Sequence, residues 1–143
     1  MKNKGILFLI LLMVCLVGLS SCGKKEAQTA TLVLPANPTT GYEWVCEQNP
    51  EIFEITSEYK EDEHEGEMVG VGGKETFLLT PQKKGSAKVV FTYMRSGNKE
   101  EAETILAYEL KVDKQMQITM ESMTSDIAGT MSELPEIPEM VIK

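Results

Sequence analysis

Short runs of alternating apolar and polar residues, separated by proline- and glycine-containing stretches, fill residues 29–112. Because the side chains of a β-strand point alternately to its two faces, a period of two predicts strands. We place these strands at residues 31–34, 41–47, 52–56, 76–80, 87–93 and 106–112. No run has the spacing of a helix, and short strands separated by turn residues are typical of two packed antiparallel sheets. The sequence therefore predicts an all-β fold, an immunoglobulin-like antiparallel β-sandwich.

The charge balance argues against several classes of partner. The chain has 143 residues, one domain in length, and its 14 Lys and Arg against 22 Asp and Glu give a formal charge of −8. Loss of Lys2 and Lys4 with a leader would lower this charge to −10. Such a chain lacks the basic surface that nucleic acid and anionic lipid require. Its single histidine excludes a histidine-rich metal site.

The N-terminus has the pattern of a secretory leader. Two lysines within the first four residues precede the apolar residues 6–19, which are too few to span a bilayer comfortably. The run ends in Leu-Ser-Ser-Cys at residues 19–22, which resembles the lipobox of bacterial lipoproteins. An ordinary secretory signal with a chance cysteine is the alternative.

The lipobox implies that residues 1–21 are a lipoprotein signal peptide and that Cys22 receives lipid. Because two or three acyl chains hold a protein on a membrane, we expect an extracytoplasmic protein, lipid-anchored to a bacterial cell membrane. Residues 22–28 would then form a polar tether. Cys15 would leave with the leader, so only Cys46 would remain as a free thiol and no intramolecular disulfide is expected.

The residues that could carry catalysis are scattered. His64 lies in an acidic stretch at residues 58–67 and has no serine, cysteine or metal motif around it. Cys46 alternates with Trp44 on an apolar face, which predicts a buried, inert thiol. The acidic stretch lacks the spacing of a calcium-binding loop. We expect a protein that is not an enzyme and that uses no metal and no cofactor.

The character of the chain changes after the last predicted strand. Met116, Ile118 and Met120 could extend that strand, so we bound the sandwich at residues 29–121. Residues 122–143 contain acidic residues spaced by prolines, a pattern that forms no regular element. They predict a flexible C-terminal tail, and a partner-binding or edge-covering segment is the alternative.

Three loops follow the first, third and fifth predicted strands, at residues 35–41, 66–74 and 95–103. Alternate connections of a β-sandwich lie at the same end, so these loops can cluster. The first loop contains two prolines that stiffen it, and its Thr39 and Thr40 carry small hydroxyls that can enter a narrow cleft. Glycines of the second loop let its main chain approach a partner closely.

Two of these loops carry motifs of a known family. Asn-Pro-Thr-Thr-Gly-Tyr at residues 37–42, with Trp44, resembles the first signature of the chagasin family of cysteine-protease inhibitors. Gly-Val-Gly-Gly at residues 70–73, followed by Phe77, resembles the second, glycine-rich signature. The resemblance spans residues 29–112.

The third signature of that family is Arg-Pro-Trp after a strand. Here Arg95 matches, but serine and glycine stand where the proline and tryptophan would be. Tyr93 and Met94 are the candidates to replace the tryptophan. This departure favours an alternative function, a lipid-anchored surface-binding or adhesion module of the same fold without inhibitory activity.

The resemblance implies a reversible, non-covalent inhibitor of papain-like cysteine proteases that fills the active-site cleft with three loops. The loop of Thr39 and Thr40 would cover the catalytic cysteine, and the other two loops would lie along the sides of the cleft. The implied protease-binding residues are Asn37, Pro38, Thr39, Thr40, Gly41, Tyr42, Gly70, Val71, Gly72, Gly73 and Arg95.

Overall fold

The computed structural model describes residues 25–48, 51–64, 66, 70–98, 100, 102–127 and 138–143. The predicted signal peptide at residues 1–21 and the predicted lipidation at Cys22 lie outside the described residues, as do residues 128–137 of the predicted tail. Within the described ranges, no helix is long and apolar enough to cross a membrane.

Antiparallel strands form two sheets in the described part of the chain. The strands are β1 (Ala30–Ala36), β2 (Tyr42–Glu47), β3 (Phe53–Glu61), β4 (Gly73–Pro81), β5 (Gly85–Arg95), β6 (Thr104–Val112), β7 (Ile118–Ile127) and β8 (Val141–Ile142). They pair in the order β3-β4-β1-β8 in one sheet and β2-β5-β6-β7 in the other. The predicted all-β sandwich of antiparallel sheets is confirmed.

The inward faces of the two sheets share one apolar core. Its largest fully buried apolar side chains are Tyr108, Phe53, Phe91, Leu32, Leu34, Leu79, Leu106, Leu110 and Val89. Phe77 of one sheet meets Phe91 of the other edge-on, with 4.8 Å between ring centroids. Burial of apolar surface, at about 25 cal/mol per Å², therefore holds the two sheets together.

β1 continues through Pro35, where the sequence predicted its end. Pro35 pairs with Lys74 of β4. On the other side of β1, β8 pairs only with Ala30 and Thr31, so the second half of β1 has no strand partner on that side among the described residues. A residue without a backbone N–H is tolerated at such an edge.

β3 extends into the acidic stretch that the sequence assigned to a loop. Glu58 pairs with Thr76 of β4, and Glu61 pairs with Gly73. β3 is an edge strand, and its residues beyond Ile55 are exposed. Charged side chains on an edge strand discourage pairing with another chain, so an acidic sequence is compatible with a strand here.

The prediction that residues 116–120 extend the last strand is wrong, because the chain turns first. The Asp113 carboxylate accepts hydrogen bonds from the amides of Gln115 and Gln117 at 2.7 and 2.8 Å. Met116 has φ 58°, a left-handed conformation that a strand does not contain. β7 then begins and runs back along β6.

The segment predicted as a flexible tail from residue 122 contains strand structure. β7 continues into it, and β8 near its end pairs with the start of β1. Met140 is 3% exposed, and the Tyr108 hydroxyl donates a hydrogen bond to the Pro138 carbonyl at 2.6 Å. Residues 138–143 therefore cover an edge of β1. For these residues the predicted flexible tail is wrong, and the alternative of an edge-covering segment is correct.

Candidate functional site

Three loops lie together at one end of the sandwich, which we call the loop end. The first loop (residues 37–41) joins β1 to β2, the second (residues 62–72) joins β3 to β4, and the third (residues 96–103) joins β5 to β6. The antiparallel pairing makes β1, β3 and β5 all run toward this end. The fold thus brings together loops that are far apart in sequence.

The first loop is a tight turn whose polar groups bond to one another. Pro38–Thr40 forms one turn of 3-10 helix. The Asn37 carbonyl accepts hydrogen bonds from the Thr40 amide at 3.1 Å and from the Thr40 hydroxyl at 2.6 Å. Gly41 closes the turn at φ 79°, which glycine adopts without strain. Thr39 and Thr40 remain exposed on a backbone that is already restricted.

The side chain of Asn37 ties the first loop to the second. Its Nδ2 donates to the Gly70 carbonyl at 3.2 Å, and its Oδ1 accepts from the Thr39 hydroxyl at 2.5 Å. Gly70 itself has φ 80°, so its carbonyl is presented by a conformation that glycine favours. Asn37 therefore acts inside the loop end, although the sequence assigned it to the contact with a protease.

The third loop is tied to the first from the other side. The Ser96 amide donates to the Gly41 carbonyl at 3.1 Å, and the Asn98 amide donates to the Arg95 carbonyl at 2.9 Å. The Arg95 guanidinium lies over the Tyr42 ring, 5.5 Å from its centroid. These contacts fix where the one matching residue of the third signature lies.

A column of aromatic rings supports the loop end from inside the sandwich. Tyr93 stacks on Tyr42 at 5.4 Å and meets Trp44 at 4.9 Å between centroids. The Trp44 indole donates to the Pro35 carbonyl at 2.8 Å. Tyr93 and Met94 are each 5% exposed, so neither can replace the missing tryptophan on the surface, contrary to the possibility raised by the sequence.

The sequence-predicted contact residues all lie at or beside the loop end, but they are exposed unequally. The exposed ones are Pro38, Thr39, Thr40, Gly41, Gly70 and Arg95, and the half-buried ones are Asn37, Tyr42, Val71 and Gly72. Gly73 is buried in β4, where an added Cβ would collide with the Lys60 carbonyl oxygen. Its glycine is therefore needed for the close approach of β3 rather than for contact.

Sequence reasoning missed two residues that shape the loop end. The Ser96 amide holds the third loop to the first, and the Asp62 amide donates to the Gly72 carbonyl at 3.0 Å across the base of the second loop. Both bonds are made by main-chain atoms, which nearly every residue type has. No signal in the sequence could have found them.

A shallow depression of about 230 Å³ lies between the first and second loops. It is lined by Pro35, Ala36, Asn37, Asp62, Gly72, Gly73 and Tyr93. Among the residues that the structure describes, no three histidine, cysteine, aspartate or glutamate side chains come together to hold a metal ion. At the centre of the loop end the exposed groups are the hydroxyls of Thr39 and Thr40, main-chain atoms and the Arg95 guanidinium, and the carboxylates of Glu61 and Asp62 lie to one side.

Cys46 and His64, the two side chains considered for catalysis, are not placed for it. Cys46 lies in β2, away from the exposed loops, and His64 lies among the acidic residues of the second loop. Burial, with a smaller contribution from the Glu47 carboxylate, raises the pKa of the Cys46 thiol to about 12. The half-buried thiol is therefore protonated near neutral pH and is a poor nucleophile. The exposed His64 ring lies 3.4 Å from the Glu61 carboxylate.

Comparison with known proteins identifies relatives of this chain. Amoebiasin-1 of Entamoeba histolytica is 36% identical over 70 residues, 49% of this chain and 68% of that protein. Chagasin of Trypanosoma cruzi is 35% identical over 81 residues, 52% of this chain and 74% of that protein. The crystal structure of the cysteine protease inhibitor EhICP2 from Entamoeba histolytica matches with a TM-score of 0.52 and 28% identity, over 58% of this chain and 77% of that one.

The family comparison covers the loop end completely. The model of the chagasin family peptidase inhibitor I42 matches residues 25–112, which include all three loops and more than half of the chain. The match ends before β7 and β8. Together with the paired sheets and the loop motifs, this match shows that the chain belongs to the chagasin family of peptidase inhibitors.

Proposed function

We propose that the chain inhibits papain-like cysteine proteases reversibly and without a covalent step, by filling the active-site cleft with the loop end. The first loop covers the catalytic cysteine, and the second and third loops lie along the two sides of the cleft. Membership of a peptidase-inhibitor family supports inhibition. The description of the relative EhICP2 as a cysteine protease inhibitor supports this class of target.

The observation that carries the proposal is the set of bonds between the loops. Asn37 ties the first loop to Gly70 of the second, and Ser96 of the third loop is tied to Gly41. Ordering three separate loops on binding would cost conformational entropy for each of them. Loops that are already joined in the free protein avoid most of that cost, so a wedge of small residues can bind tightly.

The shape of the first loop explains why a protease would be blocked without cutting it. Peptides that bind as added strands present an extended main chain, whereas Pro38–Thr40 is a 3-10 turn closed by bonds to Asn37. The exposed groups of the turn are small hydroxyls, and the Cys46 thiol is half-buried and protonated near neutral pH. A complex held by such contacts dissociates without chemistry.

Titration of papain with a soluble form that begins at Gly23 tests the inhibition. Residual activity should fall to zero with an inhibition constant between nanomolar and micromolar. Dilution of the complex should restore full papain activity, and the released inhibitor should keep its original mass. Absence of inhibition at high concentration, or cleavage within the first loop, would contradict the proposal.

An adhesion module of the same fold is the second candidate, and one observation favours it. The third loop lacks the Pro-Trp of the family signature, and both Tyr93 and Met94 are buried. Tryptophan is a frequent binding hot spot, and its truncation often costs more than about 2 kcal/mol. Because Arg95 remains exposed beside Tyr42, we expect weaker or differently directed inhibition rather than none.

Anchoring is a separate proposal, which depends on the leader. We propose that the signal peptide at residues 1–21 is removed, that Cys22 is lipidated and that the protein stands on the outer side of a bacterial cell membrane. The Leu-Ser-Ser-Cys sequence after an apolar run supports this. Cys22→Ala should remain unlipidated and uncut after residue 21. Labelling of that variant by a fatty-acid probe would contradict the proposal.

A further inference from the structure

The residues just before β1 are bound to the sandwich, although the sequence predicted a tether through residue 28. The Gln28 amide donates to the Met116 carbonyl at 3.0 Å, and the Gln28 side-chain oxygen accepts from the Ile118 amide at 2.8 Å. The Gln117 side chain donates to the Glu26 carbonyl at 2.8 Å. This segment is therefore held against the turn between β6 and β7.

The same segment is also held on its other side. The Thr29 amide donates to the Lys143 carbonyl at 2.9 Å, and the Lys143 amide donates to the Thr29 carbonyl at 3.0 Å. We call residues 26–29, with their partners at residues 116–118 and 143, the N-terminal clamp, and the end of the sandwich that contains it the clamp end. Because it is bonded on two sides, the clamp fixes where the chain enters β1.

The clamp lies at the opposite end of the sandwich from the three loops. β1 begins beside the clamp and ends at the first loop, and β5 spans the same distance from Gly85 to Arg95. At a rise of about 3.3 Å per residue, such a strand separates the two ends by about 30 Å. Cys22 and Glu26 are four residue steps apart in the chain, which span at most about 14 Å. A lipid on Cys22 therefore keeps the clamp end near the membrane, and in an upright orientation the loop end lies about 30 Å farther out.

The charge distribution favours the same orientation. Acidic side chains near the loop end are Glu58, Glu61, Asp62, Glu63, Glu100 and Glu103, and they outnumber the cations Lys60, Lys74 and Arg95. The clamp end carries lysines at residues 25, 83, 84, 114 and 143 beside Glu26, Glu51 and Asp113, so its side chains are not acidic in sum. Anionic lipid repels the acidic end whenever it comes within about a Debye length, roughly 8 Å, of the surface.

The geometry points to a fixed orientation on the membrane, with the turn between β6 and β7 against the lipid surface and the three loops facing the aqueous phase. This inference rests on the lipid anchor proposed above. The anchored inhibitor then meets soluble proteases that approach the cell from outside, with its loop end unobstructed by the membrane.

Lipid-borne quenchers test the orientation on the full mature lipoprotein. One fluorophore is attached at Lys114→Cys, in the turn beside the clamp, and another at Ser96→Cys, at the loop end, each in a Cys46→Ser background. The proteins are placed in vesicles of phosphatidylcholine and anionic phosphatidylglycerol, with and without a nitroxide on the lipid headgroup. The label at residue 114 should lose fluorescence in the nitroxide vesicles, and the label at residue 96 should keep it.

A second variant tests the clamp itself. Gln117→Ala removes the side-chain bonds to the Glu26 and Gln115 carbonyls and keeps the main-chain bond from the Gln28 amide to the Met116 carbonyl. It should reduce the difference in quenching between the two labels, and it should speed hydrogen exchange of the Ile118 amide. A folded Gln117→Ala protein with an unchanged difference would show that the clamp does not set the orientation.

The outcomes separate the orientation from the anchor and from inhibition. Protein that floats with the vesicles but is quenched equally at both labels, or more at residue 96, overturns the orientation and leaves the anchor standing. Protein that does not float overturns the anchor and this inference with it. Papain inhibition by the unlabelled vesicle-bound protein is measured separately, so failure of the proposed function is recognised by itself.

Discussion

The loop end and the clamp end of the sandwich use their polar groups in opposite ways. At the loop end, bonds such as that from Asn37 to Gly70 hold loops to one another and leave Thr40 exposed. At the clamp end, bonds such as the pair between Thr29 and Lys143 hold the flanking segments to the sheets. The contrast predicts that substitutions at the loop end weaken inhibition and leave stability nearly unchanged. Changes at the clamp end should lower stability and leave inhibition unchanged.

The largest expected effect is that of Thr40→Arg on inhibition. An arginine at the apex of the first loop would clash with a narrow cleft or bury an unpaired charge there, at a cost of several kcal/mol. Since 1.4 kcal/mol is tenfold in affinity, the inhibition constant for papain should rise about 100-fold or more. The exposed Thr40 hydroxyl contributes one hydrogen bond, so the free energy of unfolding should fall by about 1 kcal/mol or less.

Thr119→Arg is the matched control for that variant. Thr119 is exposed on β7 and pairs with Lys111, toward the clamp end. It should leave the inhibition constant unchanged and lower the thermal midpoint only slightly, because the new positive charge faces Lys111 across the strand pair. Equal loss of inhibition in the two variants would contradict the contrast between the two ends.

Deletion of residues 138–143 should have the next largest effect, on stability. It removes β8, exposes surface that Met140 covers and leaves the buried Tyr108 hydroxyl without its partner. We expect the free energy of unfolding to fall by about 3 kcal/mol because of the lost apolar burial and hydrogen bond, and the thermal midpoint to fall by about 10 °C. Measured below the transition, the inhibition constant should not change.

The exposed Glu139 provides the control for the deletion. Glu139→Gln alters charge in the same segment and should leave the thermal midpoint in place. A deletion that weakened inhibition while keeping the midpoint would show that the segment belongs to the binding surface instead of the scaffold.

Asn37→Asp should weaken inhibition by a smaller factor. The carboxylate keeps an acceptor for the Thr39 hydroxyl but cannot donate to the Gly70 carbonyl. One such hydrogen bond is worth about 1 kcal/mol, so the first two loops should separate more easily and the inhibition constant should rise about fivefold. Asn98→Asp makes the same chemical change in the third loop, keeps the acceptor for the Glu100 amide and should have little effect. Equal effects of the two variants would mean that the added charge, and not loss of the hydrogen bond to Gly70, weakens inhibition.

Arg95→Ala should have the smallest effect. The guanidinium over Tyr42 is exposed, and an exposed cation–π contact within the chain is worth about 0.5–1 kcal/mol to the position of the third loop. Loss of that positioning should raise the inhibition constant by about threefold at most. Arg95→Lys should retain most of the contact. A loss of more than about 30-fold for Arg95→Ala would instead place a hot spot in the third loop.

The two ends also differ in how far the sequence predicted them. The presence of strands β1 to β6 and of the first two loops was predicted because their signals are local, such as alternation in β5, although the ends of β1 and β3 were not. The clamp joins Gln28 to Ile118, 90 positions away, and pairs the segment before β1 with residue 143. Such pairings depend on the folded topology and leave no periodic pattern, so the sequence predicted a free tether and a free tail.

The third loop could be predicted only in part for a related reason. The sequence shows that proline and tryptophan are missing after Arg95, but not which turn replaces them. In the structure the Ser96 amide donates to the Gly41 carbonyl, which a proline could not do, and Gly97 has φ 79°, which strains other residues. A proline at residue 96 and a tryptophan at residue 97 would therefore not fit the main-chain conformation of this loop.

Amide hydrogen exchange of the soluble inhibitor, free and bound to papain, tests the central claim most directly. Binding through the loop end should slow exchange at the amides of residues 39–41, 70–73 and 96–98, which lie at or beside the exposed loops. Exchange in the turn at residues 113–117 should stay the same, because the clamp end faces away from the protease. Protection confined to that turn or to the outer faces of the sheets would contradict the account.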